Sequence, residues 1–286
     1  MGNLIEANLV YQQVDRLQPL PTVAIRVIDL MGNENHDIRE LASILSLDAA
    51  LTMRVMSAAN SVANVRRTRV TSISQAITLL GEQPVAGIAL AASSPVLFRS
   101  ELDGYEAGAG ALWAHSLRTA LAAREIARRS KIHLSLDEVF TAGIIHDIGK
   151  SVINEFLARH RNEIEIDLRE SKECEFTRIE QELIGANHAT VGAAMAGRWN
   201  IPEKLTNAIS FHHSPFNAPV DEHPFVFAIH IGDLLAMALG DGTGLDTLAH
   251  LLDERYSRYY DLTHSTIEAI LSVTQGEFSD ANSLLA

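Results

Sequence analysis

A single cysteine, Cys174, stands in 286 residues, so the chain can form neither an internal disulfide nor a cysteine-ligated zinc site. That scarcity fits a reducing compartment. Positive charge is short as well: 23 Lys+Arg face 36 Asp+Glu, a net charge of -13. The deficit holds along the chain, -3 over residues 1–110 and -10 over the remainder. No basic surface is on offer to a phosphate backbone or an anionic bilayer, so neither nucleic acid nor membrane is an expected partner. The opening MGNLIEANLVYQQ lacks the cationic region and apolar run of a secretory signal. The longest apolar stretch, Pro224 to Leu239, is interrupted by His230 and Asp233. It also falls short of the roughly 20 residues that a membrane span needs. It reads as a buried helix, and the chain as a cytoplasmic protein. Alternation of period two is missing too, so strands are few or absent. There is no internal repeat and no low-complexity tract.

What is present is helical patterning. Ala24, Val27, Ile28 and Met31 follow the i, i+3, i+4, i+7 template, as do Ile38, Leu41, Ala42 and Leu45. Asp37 with Glu40 reads as a capping box for the second of these, and Asp48 as the cap of a third helix carrying Leu51, Val55 and Ala58. Ser72 and Gln75 start a helix through Ile77 and Leu80 that Gly81 stops, and Pro84 suits the first turn of the next. A loop with Gly104, Gly108 and Gly110 follows and is the expected boundary between two helical units. Beyond it the sequence predicts a helix from Leu112 to about Arg129 and one opened by Ser135 and Glu138 that runs to about Asp147. Another runs from Thr177 to about Trp199, one from Pro202 to about Phe211, one from Pro224 to Gly240, and a last is opened by Ser265. The charged run Arg159 to Glu175 reads as a solvated helix and loop. The fold class is all-α. At roughly 150 residues per domain the length allows one large domain or two smaller ones, and in either case a core that needs no staple.

Eleven of the twelve histidines lie beyond Gly110, and several sit where apolar residues are expected. His115 interrupts ALWAHSLRTAL, and His146 with Asp147 ends a helix in IIHDIGK. His188 is in line with Ile184, Val191 and Met195, while His212 and His213 follow Leu205, Ala208 and Ile209. Asp233 interrupts FVFAIHIGDLLAMAL. A lone histidine on such a stripe is ordinarily a hydrogen-bonded core residue. A buried aspartate is harder to dismiss, because an unpaired carboxylate in a low dielectric is costly and calls for cations, donors or a metal. Imidazole and carboxylate without thiol is the donor mixture of Mn, Fe, Zn or Ni sites. Ligands spread over successive helices could converge inside a bundle.

The order His115, His146-Asp147, Asp233 resembles the HD superfamily of metal-dependent phosphohydrolases. With His188 and His212-His213 added, the set is similar to the HD-GYP branch, which hydrolyses cyclic dinucleotides on two or three metals. In that resemblance Asp147 would bridge the metals and Lys150, the end of HDIGK, would contact phosphate. The GYP segment is missing: SPFNAPVDEHP follows His213. The first half resembles the HDOD domain (HD-related output domain) through Leu20-Pro21, Asp48 to Asn60-Ser61, and Ala76 to Gly81, with Ala49 where the family usually has proline. The match covers about residues 17 to 215. It implies an N-terminal HDOD helical subdomain over 17–104, packed against an HD-like subdomain over 105–286. HDOD proteins are bacterial signalling outputs, often joined to receiver or cyclic-dinucleotide-turnover modules, and most have lost the HD ligands.

Three functions follow as expectations. The first is a regulatory module acting through protein contacts, with receiver or cyclic-dinucleotide-turnover modules as partners. The second is a phosphohydrolase holding one or two divalent ions of Fe, Mn, Ni or Zn, with Asp147 and Lys150 as catalytic residues and Arg118 as a second phosphate cation. The expected metal ligands are His115, His146, Asp147, His188, His212, His213 and Asp233. The third is a closed structural metal site on the same ligands. GDGTG, Gly240 to Gly244, is a helix stop and turn rather than a dinucleotide loop.

Overall fold

Helix-start chemistry sets many of the boundaries. In the computed structural model, which describes residues 2–33, 35–65, 70–170, 175–247 and 249–282, Asp37 accepts a hydrogen bond from Arg39 N. Asp48 accepts from Leu51 N at 3.1 Å. Ser72 caps through Gln75 N, and Ser135 through Glu138 N. The first seven helices are α1 (Gly2–Arg16), α2 (Thr22–Met31), α3 (Ile38–Ser46), α4 (Ala49–Val65), α5 (Ile73–Leu80), α6 (Glu82–Ser93) and α7 (Pro95–Arg99). After a linking segment come α8 (Ala111–Ala127), α9 (Leu136–Ile145), α10 (Lys150–Leu157), α11 (Arg161–Glu170), α12 (Phe176–Ile184), α13 (His188–Arg198), α14 (Glu203–Phe211), α15 (His223–Ala238) and α16 (His264–Asn282). The fold is all-α: among the described residues there is no strand, only two isolated bridges. No single helix among them is long and apolar enough to cross a membrane. Cys174 lies outside the described residues.

One expected helix is two. The run from Thr177 to Trp199 breaks because Gly185 adopts a left-handed conformation, φ 78°, that ends α12. Asn187 then opens α13 with a reciprocal capping box to Thr190. His188 is thus the first residue of a new helix, not the middle of a long one. The charged run does form a helix, α11, over Arg161–Glu170. Three helices had no forecast. α1 has weak apolar periodicity, α7 is only five residues long, and α10 follows the HDIGK turn without a side-chain cap.

α8 is the centre of the C-terminal half. It is buried around almost its whole circumference, against α15, α9, α16 and α7. Its neighbours approach closely because glycines face alanines. A Cβ on Gly143 of α9 would stand 2.5 Å from Ala120 Cα, and one on Gly232 of α15 would stand 2.8 Å from Ala123 Cβ. Gly149 sits on α13 in the same way, 2.6 Å from Gly192 N by the same construction and closer still to the His188 carbonyl. On the N-terminal side, α2, α3, α4, α5 and α6 pack on one another around Val27, Leu41, Val55, Ala76 and Val85. Asn60 pins that bundle by exchanging hydrogen bonds with the backbone of Val70 at 3.0 Å each way. α1 leaves it to lie on α10, α12 and α13.

These contacts predict a graded glycine series. Gly149→Ala must push α13 away from the HDIGK turn and should cost about 1–3 kcal/mol in urea unfolding. Gly197→Ala on the exposed face of α13 meets no atom within 4 Å and should be neutral or stabilising by about 0.4–1 kcal/mol.

Candidate metal centre

Each glycine contact lies beside a candidate ligand. Gly143 is three residues before His146, Gly149 two after Asp147, and Gly232 next to Asp233. The close crossings therefore deliver His115 from α8, His146 and Asp147 from the α9–α10 turn, His188 from α13, His212 and His213 from the end of α14, and Asp233 from α15 to one place. Two groups result, His115/His146/Asp147 and Asp147/His188/His212/His213, and within each group the donor atoms lie within 4.8 Å of one another. Asp147 belongs to both. Its Oδ2 is 3.3 Å from His115 Nε2 and 3.5 Å from His146 Nε2. Its Oδ1 is 3.3 Å from His188 Nε2 and 3.5 Å from His212 Nε2. Asp233 Oδ1 closes the first group at 3.0 Å from His115 Nε2 and 3.9 Å from His146 Nε2. All are buried except His213, which is half-buried.

The hydrogen bonds behind these rings decide which nitrogen faces inward. His115 Nδ1 is 2.7 Å from the Asp241 carbonyl, His146 Nδ1 2.8 Å from the Gly143 carbonyl, and His212 Nδ1 2.7 Å from the Ile209 carbonyl. A carbonyl can only accept, so each Nδ1 carries a proton; at His146 and His212 this turns the Nε2 lone pair to the centre, whereas His115 Nε2 faces the Asp147 and Asp233 carboxylates and carries a second proton. His188 Nδ1 donates to the Glu180 carboxylate at 2.8 Å, with the same result as at His146 and His212. With the His188 Nδ1 proton directed at Glu180, His188 Nε2 accepts from His213 Nε2 at 2.8 Å and lies 3.3 Å from His212 Nε2. His146 Nε2 and Asp147 Oδ1 are buried without a hydrogen-bond partner. Buried polar atoms are normally paired, and imidazoles held from behind by a carbonyl or carboxylate are the usual dress of metal ligands. The donor set fits divalent cations.

Charge at the centre is unevenly held. Burial opposes a proton on His115, yet the carboxylates of Asp147 and Asp233 raise its pKa to about 10. Burial dominates at His146 and lowers it to about 3. Burial and the surrounding histidines hold His213 well below the ordinary value. Burial also works against the Asp147 charge, but His146 and Lys150 keep its carboxyl well below the usual range.

Lys150 does lie at the centre, 2.5 Å from Asp147 Oδ2. It is equally close to Asp246 Oδ2 and donates to Thr243 Oγ1 at 2.8 Å. An ammonium has three N–H groups, and all three have partners. Arg118 is neither on the surface nor in the centre. It is buried, paired with Asp241, hydrogen-bonded to Gln275 at 2.6 Å and stacked 3.7 Å over the Phe278 ring. Its effect is indirect, because Asp241 is the residue whose carbonyl orients His115. Glu180, Thr243, Asp246 and Tyr105 were not foreseen. The sequence marks Glu180 only as the partner of Thr177 at a helix start. It takes a hydrogen bond from His188 N at 2.8 Å and from Tyr105 Oη at 2.5 Å. GDGTG is a turn as expected, but it also delivers Asp241 and Thr243 to this region. Glutamate eight residues before a ligand histidine was the available signal for Glu180. Thr243 and Asp246 had none.

Known proteins share this architecture. Residues 17–215 match the HDOD domain. The solved HDOD domain protein of unknown function from Geobacter sulfurreducens is 24% identical, with a TM-score of 0.72 over 99% of this chain and 98% of that one. A protein from Shewanella amazonensis SB2B, provisionally named a phosphohydrolase, is 23% identical with a TM-score of 0.67 over 97% of this chain and 98% of that one. One from Marinobacter aquaeolei VT8, provisionally named for signal transduction, is 19% identical with a TM-score of 0.76 over 99% of this chain and 65% of that one. An uncharacterized protein of Treponema pallidum (strain Nichols) is 20% identical over 240 residues, which is 84% of this chain but 46% of that relative, so the chain spans about half of its length. At these identities the likeness to solved structures speaks to the fold.

The geometry predicts how ion binding responds to pH. A divalent ion on His115 must displace its proton, so affinity at the first group should rise about tenfold per pH unit up to about pH 10. Calorimetry with Mn²⁺ in buffers of different ionisation enthalpy should count about one proton released by that group near pH 8. His115→Gln should abolish the release.

Proposed function

This chain belongs to the HDOD domain family, and from that premise we propose that it is a signal-transduction output module whose metal centre sets the packing of its N-terminal helices. The observation that carries the reading is the direct contact between those helices and the elements bearing the ligands. Gln13 of α1 donates to Glu155 of α10 at 3.3 Å, and Tyr11 Oη reaches Thr190 Oγ1 of α13 at 3.4 Å. Arg198 Nη2 at the end of α13 donates to the Leu17 carbonyl at 3.2 Å, and Trp199 Nε1 to the Gln18 carbonyl at 3.2 Å. A change at His188 is therefore felt at residues 11–18, and the subdomain at 17–104 reports it to a partner. That partner is another signalling protein, of the receiver or cyclic-dinucleotide-turnover kind. His115, His146, Asp147, His188, His212, His213 and Asp233 would hold one or two divalent transition ions (Fe, Mn, Ni or Zn). The acidic balance and the engaged Lys150 and Arg118 both favour regulation over phosphate chemistry.

A second reading is phosphodiester hydrolysis. It is favoured by a cavity of about 430 Å³, lined by Glu175, Asn187, Thr190 and Ser210, that reaches His213 at the edge of the centre. Two bound divalent ions would supply a hydroxide nucleophile and a clamp for the phosphoryl oxygens. In that case Asp147 would hold both, Glu180 would orient His188, and Lys150 would have to leave Asp246 to meet the substrate.

Hydrogen exchange separates the two. Adding Mn²⁺ to the chelator-stripped chain should slow exchange in α1 and α13 at least about twofold, and Asp147→Asn should erase the response. Identical exchange with and without the ion would refute the regulatory reading. Turnover of bis(p-nitrophenyl) phosphate with Mn²⁺, lost in Asp147→Asn while the melting temperature holds, would establish the second reading instead.

A further inference from the structure

A third cluster of ligand side chains shares only His213 with the Asp147-centred groups. Glu175, just before α12, His213, after α14, and His250, in the segment following α15, bring one donor atom each within 4.8 Å of one another. The His213 and His250 rings are stacked, with centroids 4.2 Å apart and planes at 15°. The His250 side chain is 2% exposed, yet neither of its nitrogens makes a hydrogen bond, and Glu175 Oε2 makes none either. Glu175 is not free to turn elsewhere, since its Oε1 accepts from Leu251 N at 2.7 Å and so holds Oε2 toward His250.

The spacing of Glu175 and His250 suits a shared ion. His250 Nδ1 is 3.5 Å from Glu175 Oε2, and His250 Nε2 is 3.8 Å from Asp246 Oδ2, both beyond good hydrogen-bond length. Two ligands about 2.1 Å from a tetrahedral zinc are about 3.4 Å from each other. We infer that Glu175, His213 and His250 form a separate, outer cation site for a borderline divalent transition ion, Zn²⁺ being the model case. Two imidazoles and one carboxylate are a zinc donor set, and they are unsuited to Mg²⁺ or Ca²⁺, which demand oxygen ligands. Glu175 and His213 also line the cavity of about 430 Å³, which would leave an ion held there open to that space. An ion there ties together three stretches far apart in sequence: the head of α12, the end of α14 and the segment after α15. The site does not depend on the Asp147-centred reading. His213 serves both, so His250 is the discriminating residue.

The test is Zn²⁺ stoichiometry on the full chain, stripped with chelator, dialysed against buffered Zn²⁺ and counted by elemental analysis, with circular dichroism to verify folding. Asp147→Asn should keep one Zn²⁺ per chain, and adding His250→Ala to it should leave none. His250→Ala alone should lose one equivalent and spare the others. Glu175→Gln, which keeps the acceptor for Leu251 N, should weaken the outer ion at least about tenfold and covers the case in which His250→Ala misfolds. Mg²⁺ at the same concentration should not compete. Unchanged stoichiometry and affinity in both His250→Ala and Glu175→Gln would overturn the site. A chain that binds a single Zn²⁺, lost in His250→Ala but kept in Asp147→Asn, would support the outer site while refuting the inner one.

Discussion

Everything at the centre depends on how near two helix backbones can come. Ordinary side chains hold helix axes about 8–10 Å apart, and at that spacing a ring from α8 and a carboxylate from α15 would leave room for water between them. Here Gly143 faces Ala120 and Gly232 faces Ala123, so α9 and α15 both press onto α8 with backbone atoms in contact. Gly149 and Gly192 do the same between the HDIGK turn and α13. The polar cluster is a by-product of apolar packing with the smallest residues, placed one to three positions from His146, Asp147 and Asp233.

Such a cluster is expensive. Five carboxylates (Asp147, Glu180, Asp233, Asp246 and the half-buried Glu175) share one interior with a single lysine. Lys150 answers for two of them at 2.5 Å each, and burial of its ammonium is outweighed by those charges, which raise its pKa above the ordinary range. Removing one partner of a buried pair is more damaging than never having had the pair. The interior therefore sets its carboxylates against one lysine and against imidazoles such as His115, whose proton those carboxylates hold.

Much of this was legible in the chain itself. The caps at Asp37, Asp48, Ser72 and Ser135 announce helices because a short polar side chain before an apolar stripe satisfies otherwise unpaired N–H groups. The seven candidate ligands stood out because imidazoles and carboxylates interrupted stripes that should have been apolar. The rest was hidden for physical reasons. Gly185 breaks a helix whose apolar spacing runs on undisturbed through His188, so periodicity alone overruns it. Thr243 and Asp246 sit in a stretch without secondary structure, where no period exists to be interrupted. Arg118 reads as a free phosphate cation because its partners, Asp241 and Gln275, are more than a hundred positions away and meet it only in the folded chain.

The matched family segment ends at residue 215, but the ring of support does not. Asp233, the carbonyl that holds His115, the hydroxyl and carboxylate that anchor Lys150, and the helix whose Phe278 backs Arg118 all come later. The ligands inside the segment are thus braced from outside it. An excised 17–215 piece would inherit five of the candidate histidines and one aspartate with their outer wall gone. In the language of modular evolution, the recognisable signature and the unit that selection can move intact are not the same length.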